Sequence, residues 1–91
     1  MDDEVARLQN QKLTVKVTKG EDGRCRVRAS ADKRKGQELV FLCPRDYPLS
    51  SPFAAIFDKE TEKYIPVISQ NISDWNMYKY MSDITKELSF I

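Results

Sequence analysis

The chain has no histidine among its 91 residues, and only two cysteines. Without histidine the commonest general base is missing, and so are the Ser-His and Cys-His nucleophile pairs and most zinc sites. Lysine or carboxylate chemistry stays open, but no constellation of residues forms a convincing active site. Cys25 and Cys43 each sit inside a strand-like run. A lone pair of that kind in an intracellular domain reads as two reduced, partly buried thiols. No apolar run approaches the roughly 20 residues that span a bilayer. The N-terminus, Met-Asp-Asp-Glu, is acidic where a secretory signal is basic, and no apolar segment follows it. The expectation is a cytosolic or nuclear chain. Net charge is also nearly absent, at +1, so no overall field draws the chain to nucleic acid or an anionic membrane.

What is present is ordinary for a folded protein, with 41% hydrophobic and 32% charged residues. The length suits one domain with a single core, spanning 1–91. Asp2 to Gln11 places Val5 and Leu8 on one side, as a short amphipathic helix or the end of a longer helix or coiled coil. Leu13, Val15 and Val17 then alternate with polar residues as a half-buried strand. Gly20-Glu21-Asp22-Gly23 is a hairpin signal. Cys25, Val27, Ala29 and Ala31 share one face of the next strand, and Arg24, Arg26 and Arg28 share the other. After a polar turn at Asp32–Gly36, the run Glu38–Cys43 suits a central strand covered on both faces.

Residues 44–52 hold three prolines, Pro44, Pro48 and Pro52, around Tyr47. Prolines remove backbone donors and bias their neighbours toward extended geometry, so an ordered, specifically shaped loop is expected. Phe53–Phe57 resumes as a fourth strand. Tyr64–Ile68 is a further extended piece interrupted by Pro66. Ser73 as N-cap and Asp74 in the first turn predict a helix over 73–91. Its apolar stripe is Met77, Met81, Ile84, Leu88 and Ile91, widened by Trp75 and Tyr78. The fold class is therefore α+β: a four-stranded antiparallel meander, spread over 13–68, packed on a C-terminal helix, with a short N-terminal helix.

The segment Phe41-Leu42-Cys43-Pro44-Arg45-Asp46-Tyr47-Pro48-Leu49-Ser50-Ser51-Pro52 resembles the Tyr-Pro loop of the ubiquitin-conjugating-enzyme superfold. It is more particularly similar to RWD domains, where Pro-x-x-Tyr-Pro and a further proline follow the third strand. Trp75 echoes a tryptophan that often precedes the late helix in that superfamily. The conjugating enzymes carry a His-Pro-Asn motif and an acceptor cysteine after the fourth strand. Here that interval, Asp58 to Ser73, has neither histidine nor cysteine. The resemblance thus implies a non-catalytic relative that needs no cofactor or metal. It acts as a scaffold or recognition module in ubiquitin-pathway or kinetochore-type complexes, with homo- or heterodimers formed through a preceding helix.

Several residues carry competing readings. Tyr47 and the prolines Pro44, Pro48 and Pro52 are first a structural loop and second a surface. Arg24, Arg26 and Arg28, continued by Lys33, Arg34 and Lys35, form a solvated face, a dock for an acidic protein partner, or a phosphate contact. Nucleic acid is the least favoured of these, since no aromatic residue interleaves the arginines to stack bases. Trp75 is core packing or an interface anchor. Tyr64 and Ile65 are a candidate edge surface blunted by Pro66. The readings of another class are a conjugating enzyme using Cys43 or Cys25, and a weak nucleic-acid binder using the basic face.

Overall fold

A computed structural model describes residues 2–90 of the chain. Helix α1, Asp2–Asn10, opens with three acidic residues at the positive end of its dipole and buries Leu8. Five strands follow: β1 Thr14–Lys19, β2 Cys25–Ser30, β3 Gln37–Cys43, β4 Phe53–Asp58 and β5 Lys63–Pro66. They form one antiparallel sheet in sequence order, β1 to β5. Helix α2, Gln70–Ser73, and helix α3, Met81–Glu87, close the chain.

The sheet is one strand wider than the alternation of the sequence suggests. Lys63–Pro66 pairs with β4, Tyr64 opposite Phe57 and Ile65 opposite Ile56. Pro66 is tolerated because β5 is an edge and needs no donor on its open side. The β1–β2 turn closes with Gly20 N–H donating to Arg24 carbonyl at 2.8 Å, and Gly23 takes a φ of 87° that an L side chain resists.

One face of the sheet carries the core. Val27, Ala29, Leu39, Phe41, Cys43 and Ala54 pack there with Leu8 of α1, Met81 and Ile84 of α3, and Phe90 beyond it. Cys25 and Cys43 stand directly opposite one another in the β2–β3 register, at the end of this face.

The C-terminal segment departs from the single helix expected over 73–91. Ser73 ends α2 and does not cap a helix; Ser69 is the cap, accepting from Ile72 N–H at 3.2 Å. The chain then leaves helical geometry until Met81. Asn76 Oδ1 accepts from Tyr78 N–H at 2.9 Å, a local turn that competes with the helix ladder. Asp83 Oδ2 accepts from Tyr80 N–H at 2.9 Å and starts α3 there. Trp75, expected in the first helical turn, lies between the two helices. Met77 and Tyr78 consequently leave the stripe and are exposed, whereas Met81 and Ile84 keep their core places. Ile91, the last position of that stripe, lies outside the described residues. Phe90 fills the core instead, being 1% exposed.

Candidate functional site

The strand registers place every side chain of the sheet on one of two faces. Opposite the core face, β1 and β2 present Lys16, Thr18, Arg26 and Arg28. On the same outward face β3, β4 and β5 present Glu38, Val40, Leu42, Phe53, Ala55, Phe57, Tyr64 and Pro66. Leu42 stands opposite Phe53 and beside Arg26, and Val40 stands opposite Ala55 and beside Arg28. The outward face is thus divided lengthwise, cationic over two strands and apolar over three except for Glu38, which Arg28 and Lys59 neutralise.

β3 was expected to be covered on both faces. It is buried on both along Glu38–Phe41 and opens on the outward face at Leu42. The helices and Phe90 join the core face, and on the other side Leu42 is 41% exposed, Phe53 53% and Tyr64 57%. Val40 and Ala55 are buried on that side by their own neighbours in the sheet. Phe57 and Tyr64 pack with ring centroids 4.8 Å apart and planes tilted by 45°.

The arginines differ in their surroundings. Arg28 donates from Nε to Glu38 at 2.7 Å and from Nη2 at 2.9 Å, a two-pronged pair. Lys59 adds a second cation to Glu38 at 3.2 Å. These partners hold the Glu38 carboxyl below its usual range, with the Arg28 hydrogen bond the largest cause. Arg24 stands 3.5 Å from Asp22 in the turn. Arg26 is exposed and has no ion-pair or hydrogen-bond partner among the described residues. Of the continuation expected through the next turn, Lys33 and Lys35 are exposed, but Arg34 leaves the stripe. Arg34 turns to the C-terminal segment, donating to Ser89 carbonyl at 3.0 Å with its guanidinium 5.1 Å from the Phe90 ring.

The proline loop is tied to the core side of the sheet. The Tyr47 hydroxyl donates to Glu4 of α1, whose other oxygen accepts from Met81 N–H at 2.8 Å. Burial, and then this bond to Glu4, push the Tyr47 phenol above its ordinary range. Trp75 Nε1 donates to Pro48 carbonyl at 2.8 Å, and its ring lies 5.7 Å from that of Tyr47. Pro52 is fully buried, Pro44 half-buried, and the Tyr47–Pro48 peptide is cis. Glu4 is the residue that sequence reasoning passed over. A carboxylate four residues before Leu8, on the same helix face, is the one signal that it points inward.

Of the sequence candidates, Arg24, Arg26 and Tyr64 meet on or beside the outward face. Trp75 packs on the core side with Tyr47. Ile65 faces the core side too, half-exposed only because β5 is the sheet edge. Leu42 and Phe53 were missed, since each reads as one more apolar residue in a strand.

Cys43 is 2% exposed, and burial first of all pushes its thiol up to about 12. A thiol held protonated in this way is a poor nucleophile. Among the described residues no group of three or more cysteine, aspartate or glutamate side chains is placed to hold a metal ion, and no helix is long and apolar enough to cross a membrane. Neither family models, curated proteins nor solved structures offer a match to this chain.

Proposed function

We propose that this chain is a non-catalytic protein–protein interaction domain, RWD-like in kind, whose outward sheet face docks a partner protein. The observation that carries this reading is the set of exposed apolar side chains Leu42, Phe53 and Tyr64 on the face opposite the one the described helices pack against. An uncovered apolar patch beside polar residues marks interaction sites on folded domains. The partner that complements it has apolar anchors for β3–β5 and acidic groups for the β1–β2 side. The RWD-like assignment draws support from the proline loop after β3, with Tyr47 and Trp75 packed together beneath it. The protonated, buried Cys43 supports binding over thioester chemistry.

Site-specific photo-crosslinking tests the docking face. A benzophenone amino acid placed at Phe53 is expected to trap a discrete partner from cell extract. The same probe at Tyr78, 81% exposed in the segment between α2 and α3, is expected to trap none. Adducts from Tyr78 and none from Phe53 would overturn the reading.

A further inference from the structure

The outward face is not level. A depression of about 580 Å³ is sunk into it where β2 begins and β3 ends, on the seam between its cationic and apolar halves. Arg24 and Arg26 line one side, Leu42 and Phe53 the other, and Cys25 and Pro44 lie at its end. Its size falls within the roughly 300–1,000 Å³ of sites that enclose small organic groups. No carboxylate lines it.

We infer that this depression receives the apolar anchor of a short acidic peptide segment, with a carboxylate of that segment facing Arg26. The inference rests on the docking-face reading and names the partner's chemistry at one point of that face. Three observations lead to it. Arg28, one row along the same strand, is already satisfied by Glu38, whereas Arg26 has no partner among the described residues. Of the two β2 arginines on this face, the one free to meet a ligand charge is therefore the one at the depression. Leu42 and Phe53 stand opposite each other in the ladder and are 41% and 53% exposed, so they offer apolar walls that water now covers.

The surroundings select a peptide over other anions. The Leu42–Phe53 row adjoins the Val40–Ala55 row, and that adjoins Phe57 and Tyr64. A ligand leaving the depression passes over the buried Val40 and Ala55 to the exposed Tyr64, which suits a chain with spaced apolar side chains. A nucleic-acid backbone needs a series of cations for its phosphates. Here one arginine of the face is neutralised by Glu38 and another stands beside Asp22.

The test is selection from a phage-displayed library of random peptides against the intact chain, in parallel with Arg26→Glu and Phe53→Asp variants. Wild type is expected to enrich peptides with an aromatic or leucine anchor next to aspartate or glutamate. Those peptides should bind Arg26→Glu at least about tenfold more weakly and should not bind Phe53→Asp. Equal enrichment on wild type and Arg26→Glu, or no preference for acidic residues, overturns the acidic-partner inference. Peptides selected without acidic bias but lost on Phe53→Asp would sink that inference and leave the docking face standing. Peptides indifferent to both variants would sink both. An eight-thymidine single strand that binds more tightly than the selected peptides would also overturn it. Unchanged melting temperatures of the two variants keep each loss attributable to the surface.

Discussion

Arg28 reaches diagonally across β2 and β3 to Glu38 with two hydrogen bonds, 2.7 and 2.9 Å long, while Arg26, two residues along, has none among the described residues. Two arginines of one strand face therefore have different work. Glu38 is a carboxylate 8% exposed on a sheet face, and it needs its cations. Arg28→Ala should destabilise the fold by about 1 kcal/mol, the worth of a charged hydrogen-bonded pair that is partly solvated. Arg26→Ala should move stability by no more than about 0.5 kcal/mol, as for a free surface residue. Urea unfolding of the two variants beside wild type checks both values.

Glu4 ties α1 to two distant parts of the chain, the Tyr47 hydroxyl and the backbone N–H of Met81. Replacing it by alanine strands both donors in the interior. Glu4→Ala should cost about 2–4 kcal/mol, and Tyr47→Phe, which removes one donor and leaves the other bond, about 1 kcal/mol. Thermal melts of the two variants and the double variant will show them strongly non-additive, because they share one interaction.

Glu87 accepts hydrogen bonds from the Ser69 hydroxyl at 2.8 Å and from the backbone N–H groups of Gln70 and Asn71 at 2.6 and 3.1 Å. These bonds, the Ser69 hydroxyl foremost, lower its pKa from 4.5 to about 2. A carboxyl depressed on folding stabilises the fold above its unfolded value. That contribution fades as the pH falls from about 4.5 to about 2. Glu87→Gln should therefore lose less melting temperature than wild type across that acid window, and melt lower than wild type at neutral pH. A series of calorimetric scans over the window is the check.

Phe90 lies beyond the last helix and is 1% exposed among Leu8, Phe41 and Ile84. Phe90→Ala should cost about 3 kcal/mol, as for a large aromatic removed from a packed core. Ser89→Ala, one residue before it and exposed, should be nearly silent in the same denaturant titration.

The sheet was legible where alternation is strict. Leu13, Val15 and Val17, then Cys25, Val27 and Ala29, announce two half-buried strands, and turn residues part them. β5 was legible as extended chain but not as a sheet member, because Pro66 demotes a strand unless its open side is known. The break at Asn76 was hidden by an apolar spacing that fits a helix on paper. A side chain that bonds its own backbone overrode that spacing. The candidate site was the least legible part. Arg26, Leu42 and Phe53 are far apart in sequence, and only the registers of three strands make them neighbours. The absence of aromatics among the arginines held along the chain but not across the sheet, where Phe53 and Tyr64 share their face.

The most direct trial of the docking face uses a tagged chain incubated in cell extract, with each co-retained protein quantified. Wild type would be compared with a Leu42→Asp/Phe53→Asp variant and with a Met77→Asp/Tyr78→Asp control, whose positions are 50% and 81% exposed in the segment between α2 and α3. All three should melt alike. The account predicts that the protein retained by wild type stays with the control and falls at least about tenfold with the Leu42/Phe53 variant, as for loss of apolar anchors. Full retention by that variant, or loss with the control alone, would contradict it.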